Sequence, residues 1–294
     1  MGKYAKAEKQ AASVVKALEK SGAIKSLGTA RGYTNALTRV AEFVKAERLG
    51  SLRDMTPERA IAYLEQRGEE VGQKQLDMER QAMQSMMQNL TGQLDAKERL
   101  TVVKSEHEQI LSSRSYTSEQ VSMVATAQRE NNALSTQLAH SAGLRGHELL
   151  TLRRIEERNP SDRPARVEKF LGRDGERYTV KGKGGLVREV LLPSHLARQL
   201  ESKRLDSPQK VTDRGIHYAQ YYAINGGNKW SSSFSKASER ALGWSSGAHG
   251  LRHSYAQERM HELQASGLSR HVALETVSQE LGHFRPDITE VYLR

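Results

Sequence analysis

The sequence predicts a mainly α-helical chain with a small antiparallel β-sheet, divided into a helical domain over 1–112 and an α+β domain over 113–294. Three observations carry this expectation. Apolar residues recur at helical spacing through the first hundred positions, whereas between Val167 and Leu192 the pattern changes to short β-type runs about a glycine-rich turn. A length of 294 residues also suffices for two domains, each with its own core.

The first domain reads as a succession of helices. From Thr34 to Glu47, Leu37, Val40, Ala41 and Val44 share one face. Thr56-Pro57-Glu58 supplies an N-cap, a proline at the first helical position and an acidic first turn for a helix through Ala60, Tyr63 and Leu64. Gln73 to Leu90 carries Leu76, Met83, Met87 and Leu90 at helical spacing, most simply a core face. The pattern lapses into a polar stretch around Leu111 to Tyr116, where the domain boundary is expected.

Thr117-Ser118-Glu119-Gln120 then matches a capping box, opening a predicted helix from Val121 to Ala139 with Val124, Ala127, Leu134 and Leu138 inward. Tyr178-Thr179-Val180 and Arg188 to Leu192 flank Lys181-Gly182-Lys183-Gly184-Gly185, as in an antiparallel hairpin. Pro193-Ser194 ends the sheet and starts a helix, Asn225 to Asn228 is a loop, and the remainder alternates helices with short turns.

Composition narrows the function. A formal net charge of +10 points to a polyanion, DNA or RNA first, because each Lys or Arg that meets a phosphate releases condensed counterions. Over the first 45 residues nine Lys and Arg face only Glu8, Glu19 and Glu42, which makes this arm either a nucleic-acid backbone contact or an ordinary solvated surface. The absence of cysteine excludes disulfides, thiolate nucleophiles and cysteine-based zinc sites. With no apolar signal core after Met1-Gly2-Lys3 and no long uncharged apolar run, a soluble, cytoplasmic, nucleoid-associated protein without membrane contact is expected. There is no Gly-x-x-x-x-Gly-Lys-Ser/Thr loop for ATP and no acidic cluster for two-metal phosphodiester chemistry, so no cofactor or metal is expected.

The remaining candidates are cations, imidazoles and a tyrosine. Arg145 follows Gly143-Leu144 at an expected helix start, and its planar guanidinium can hold two phosphate oxygens; Glu148 is suited to orienting an arginine. Lys183, with Lys181 as its rival, sits in the glycine-rich turn, and an ammonium there suits protonation of a departing alkoxide. His249 and Arg252 share a helix face at a spacing of three, while His249 and His253 at four apart could ligate a metal but lack the intervening glutamate of a His-Glu-x-x-His site. His253 otherwise reads as a structural, packed histidine. His283 follows Leu281-Gly282, a helix stop, and Tyr292 lies nine positions further on, a phenol that needs nearby positive charge or a base to attack.

In this order Arg145, Lys183, His249-x-x-Arg252, His283 and Tyr292 resemble the tyrosine recombinase (phage integrase) family, over the stretch from about Thr117 onward. The helical first half is similar, on pattern alone, to the family's core-binding (SAM-like) DNA-binding domain. The resemblance implies a clamp on double-stranded DNA in which Arg145, Arg252 and His283 hold the scissile phosphate and His249 assists in proton handling. Lys183 would protonate the 5′-oxygen, and Tyr292 would attack phosphorus to form a 3′-phosphotyrosyl link. It further implies a site-specific recombinase acting as a homo-tetramer on paired sites for integration or excision of a mobile element, with accessory DNA-bending proteins as candidate partners. The alternatives are a catalytically silent DNA-binding or architectural protein and a type IB topoisomerase-like activity without strand exchange. Two departures stand out. Only two residues follow Tyr292, which makes exchange of a C-terminal tail between protomers doubtful, and Ile288-Thr289 replaces a frequent threonine pair, with little effect expected.

Overall fold

The computed structural model describes residues 4–107 and 111–294, with the side chain of Lys183 outside the described set. The chain divides into two compact units, Met1–Ile110 and Leu111–Arg294.

In the first unit, α1 (Ala7–Lys20) buries Ala11, Val14, Val15 and Leu18, a stripe three and four residues apart. α2 (Leu27–Ala46) begins about two turns earlier than the apolar spacing predicts, because the Ser26 hydroxyl accepts the Thr29 N–H at 3.1 Å and caps it there. α3 (Pro57–Gly68) has the expected Thr56 cap and Pro57 at its first position. α4 (Gln73–Met86) is shorter than the predicted helix: from Met87 to Thr91 the turns widen to π geometry, and Gly92 at φ +66° ends them. Leu37, Val40, Leu64, Leu76, Met83 and Met87 meet in one core, which also encloses Glu79. That buried carboxylate accepts from Tyr63 Oη (2.8 Å), Gln75 Nε2 (2.7 Å) and Arg67 Nε (3.3 Å), so its oxygens stay hydrogen-bonded out of water.

The second unit opens with the Thr117–Gln120 capping box, both halves of which form. The single helix predicted from Val121 to Ala139 is two helices, α5 (Ser118–Thr126) and α6 (Glu130–Ser141); Ala127 is the C-cap of the first, and the extended backbone of Arg129 (ψ 150°) separates it from the second. β1 (Arg153–Arg154), β2 (Glu176–Lys181) and β3 (Val187–Leu192) form an antiparallel sheet in that order, with Tyr178 opposite Val190 and Lys181 opposite Val187. The turn between β2 and β3 therefore presents Lys183 at the sheet's end. α7 (Ser194–Glu201) follows, and then a second, two-stranded antiparallel sheet of β4 (Arg204–Asp213) and β5 (Ile216–Tyr222) that the sequence reading missed. Its strands are mostly exposed and polar, with little of the inside–outside alternation that marks a strand in sequence. α8 (Gly227–Leu242), α9 (Gly250–Ala265), α10 (Arg270–Glu280) and the short α11 (Pro286–Glu290) complete the unit. Among the described residues, no helix is long and apolar enough to cross a membrane.

The start of α9 is fixed by Tyr116. Its ring stacks on Trp244 at 5.0 Å, its hydroxyl accepts the Ser246 N–H at 2.7 Å, and its backbone N–H donates to Ser254 Oγ at 2.8 Å. α9 is tied to α10 by Glu280, fully enclosed, which accepts from Arg259 Nε and Nη2 (both 2.9 Å) and from Tyr255 Oη (2.8 Å). Gly143 forms the floor below both helices. It sits at φ +57°, and a Cβ there would lie 2.9 Å from the Tyr255 ring and 2.8 Å from Leu281. Gly143→Ala combines left-handed backbone strain with overpacking and is expected to destabilise the second unit by about 2–4 kcal/mol, measured by urea unfolding; a loss below about 0.5 kcal/mol contradicts this packing.

Candidate active site

Arg145 does not start a helix. After α6 the chain turns left-handed at Gly143, and Arg145 lies in the loop before a single 3-10 turn, Glu148–Thr151. The Glu148 carboxylate, inaccessible to solvent, holds the loop's shape: Oε2 accepts the Arg145 backbone N–H (2.9 Å) and Oε1 accepts Arg145 Nη1 (2.8 Å). Oε2 also accepts Nη2 of Arg188, a buried residue of β3 (2.7 Å), and lies 4.0 Å from Arg252 Nη1. Burial alone would raise the carboxyl's pKa, but the guanidiniums of Arg188, Arg252 and Arg145 outweigh it and hold Glu148 far below the usual range. The expected orienting role of Glu148 is thus realised on three arginines.

Arg252, on the first turn of α9, is fully buried. Its Nη1 donates to the Gly143 carbonyl, and its Nη2 donates to the Leu281 carbonyl (2.7 Å) and to His283 Nε2 (3.0 Å). Burial and the neighbouring Arg145 push Arg252 down to about 9, against the opposing pull of Glu148, so it stays cationic at neutral pH.

Because Arg252 can only donate, His283 Nε2 accepts; Nδ1 then carries the proton and donates to Thr289 Oγ1 at 3.1 Å. His283 leaves α10 through Leu281 and Gly282, the latter at φ +72°, as the helix-stop reading expects. Tyr292 follows α11, 8% exposed, with its hydroxyl 3.2 Å from His249 Nε2. Its ring lies 5.4 Å from His249, 4.7 Å from His253 and 5.1 Å from His283, with the Arg252 guanidinium 5.7 Å away. His249 precedes α9 and is solvent-exposed; partial desolvation, then the charge of Arg252, lower it to about 4. Burial followed by the charge of Arg114 lowers His253 to about 4, and burial followed by Arg252 lowers His283 to about 3. All three imidazoles are neutral at physiological pH.

The structure thus brings Arg145, His249, Arg252, His283 and Tyr292 to one place. The Lys183 backbone occupies the β2–β3 turn, but its side chain is outside the described residues; the rival Lys181 is exposed at the end of β2. Sequence reasoning missed Arg188 and Glu280, and it read Thr289 only as half of an altered threonine pair, whereas its hydroxyl is the partner of His283 Nδ1. Arg188 looked like one more strand residue, and its only signal was a charge within the apolar run Val187–Leu192. Among the described residues, no group of three or more His, Asp or Glu is placed to hold a metal ion.

No protein-family model matches the sequence, and no curated protein matches it. Solved structures do match over nearly the whole chain. The XerH site-specific recombinase bound to palindromic difH substrate superimposes with a TM-score of 0.61 at 15% identity, covering 98% of this chain and 93% of that one. A lambda integrase dimer bound to a COC′ core site gives 0.59 at 17% identity, covering 96% and 94%. The Tn1549 transposon integrase with transposon right end DNA gives 0.58 at 12% identity, covering 99% and 95%. The chain has the tyrosine recombinase fold, a helical unit followed by an α+β unit.

Two measurements check the site's electrostatics. Each of the three imidazoles takes up a proton near 6.5 in the unfolded chain but resists it to about 4 or 3 in the folded one. Between those values the unfolded chain binds more protons, so stability falls as pH drops from about 6.5 toward 4. The melting temperature of the DNA-free protein should decline over that window, less steeply in His283→Asn; a flat profile to pH 4.5 contradicts the assignment. Glu148→Gln leaves buried guanidiniums without their counter-charge and should cost about 3–5 kcal/mol in chemical denaturation.

Proposed function

We propose that the chain is a site-specific DNA recombinase that cleaves and rejoins strands of double-stranded DNA through a 3′-phosphotyrosyl intermediate. The observation that carries this reading is the Tyr292 hydroxyl at 3.2 Å from a neutral imidazole, beside the buried Arg252–His283 pair and Arg145. The tyrosine recombinase fold, seen in neighbours solved on DNA, adds to it.

A phosphodiester placed against Arg145 has a non-bridging oxygen met by its partly exposed guanidinium, while Arg252, buried against Gly143, Leu281 and His283, adds fixed positive charge without direct contact. Tyr292 Oη attacks phosphorus while its proton passes to His249 Nε2. The P–O5′ bond breaks, and the 5′-oxygen leaves with a proton from Lys183, the proposed acid of the β2–β3 turn. The phosphotyrosyl ester retains the bond energy, so a 5′-hydroxyl from the same or a partner strand can reverse the step. Rejoining to a partner strand calls for paired sites and a homo-tetramer, with accessory DNA-bending proteins as further partners. The helical unit Met1–Ile110, with its basic first 45 residues, serves as the core-binding DNA contact, and integration or excision of a mobile element is the proposed role.

Tyr292→Phe should retain DNA binding in gel shifts and form no covalent adduct on denaturing gels, whereas a persistent adduct removes Tyr292 from the role. Arg145→Ala should slow adduct formation about 10²–10³-fold, and chelator should leave cleavage intact. Plasmid relaxation without exchange between two sites would place the chain with type IB topoisomerase-like enzymes; binding without nicking would make it an architectural protein.

A further inference from the structure

Further along α9 than His249 and Arg252, the side chains of His253 and Gln257 have no part in the chemistry above. His249, His253 and Gln257 are spaced four apart and lie along one line of the helix. They meet the tyrosine segment in sequence. His249 reaches the phenol oxygen, His253 packs on the ring at 4.7 Å and 42°, and Gln257 Nε2 donates to the Tyr292 carbonyl (3.2 Å) and the Arg294 carbonyl (2.9 Å).

We propose that His253 and Gln257 form a dock for the tyrosine segment, in which His253 is a positioning residue that sets the plane of the Tyr292 ring and Gln257 pins the backbone at Tyr292 and just after it. The proposal rests on Tyr292 being the nucleophile.

Two observations support it. Besides the apolar packing of Tyr292 and Leu293 on α9 and α10, the segment has few polar anchors: α11 is five residues long and held by the exposed Arg270–Glu290 pair (2.8 Å) and the Thr289–His283 bond, and Tyr292 adds a backbone bond to Thr289 (2.9 Å). A phenol on so short a stem needs a second surface to fix where its oxygen points. His253 is also poorly explained as core. It is 5% exposed, yet its Nδ1 is buried without a hydrogen-bond partner among the described residues, a stability cost that leucine would not carry. The groups facing it are Arg114 from the segment before α5, Arg252 on its own helix, and Arg294 and the Tyr292 backbone from the tail. Amid three guanidiniums the ring stays neutral and packs against the phenol at a tilt of 42°. In-line attack demands the oxygen within a narrow range of position, and a displacement of about 1 Å can cost roughly 10²-fold in rate.

The test pairs hydrogen exchange with kinetics on the full-length chain. In the DNA-free protein, Gln257→Ala and His253→Leu should both speed amide exchange in the peptide over 286–294 while leaving α10 protected. On plasmid DNA carrying the site, both should slow adduct formation at saturating DNA by about tenfold or more, with affinity in gel shifts unchanged; His253→Phe, which restores a flat ring, should recover most of the rate. Gln257 is half-buried, so its variant keeps the fold if His253→Leu does not. Unchanged exchange over 286–294 in Gln257→Ala overturns the dock, as does a wild-type adduct rate despite a loosened segment or a His253→Phe no faster than His253→Leu. If the wild-type protein forms no adduct through Tyr292, the functional reading fails, while the exchange result still reports on the dock.

Discussion

Everything in the site leans on one buried carboxylate. Glu148 has no contact with solvent and faces the guanidiniums of Arg145, Arg188 and Arg252, which come from the loop after α6, from β3 and from α9. An ion placed out of water is costly unless its partners are close and well oriented, and three such partners make the arrangement self-consistent. Three cations around one anion leave positive charge in excess, directed to where Tyr292 waits. The same carboxylate therefore settles the local fold around Arg145 and Arg252.

Much of this was legible in the sequence, because chemistry-bearing residues advertise themselves by type and spacing. Arg145, His249, Arg252, His283 and Tyr292 meet as their order suggested, and the β2–β3 hairpin matches its glycine-rich signature. The helix stop at Gly282 was equally readable, since a left-handed position favours glycine. What stayed hidden depends on tertiary placement. Arg188 and Glu280 are charged residues whose partners lie far along the chain, so no local pattern marks them. The β4–β5 hairpin is exposed and polar, and one continuous apolar period across Val121–Ala139 concealed the break between α5 and α6. Arg145 was expected at a helix start after Gly143-Leu144, but the Glu148 carboxylate captures its backbone N–H and closes a tighter turn instead.

The imidazoles show the same economy of charge. His249, His253 and His283 surround the Tyr292 ring, and all are held neutral by desolvation and by nearby arginines. A neutral His249 can accept a proton from the phenol, whereas an imidazolium could not. The guanidiniums carry the charge and the imidazoles carry the protons, a division that needs both groups packed against each other. The proposed phosphoryl transfer asks chiefly for positioning and charge, which would here come from side chains.

The central claim is that Tyr292 becomes covalently joined to DNA. It is tested most directly by incubating the protein with a nicked duplex that carries its site, so that the short 5′-hydroxyl fragment diffuses away, then digesting the trapped adduct and locating the modified residue by mass spectrometry. The account predicts a 3′-phosphonucleotide on the peptide containing Tyr292 and a free 5′-hydroxyl on the released strand. A nucleotide attached through its 5′-phosphate, or carried by any other residue, would contradict it.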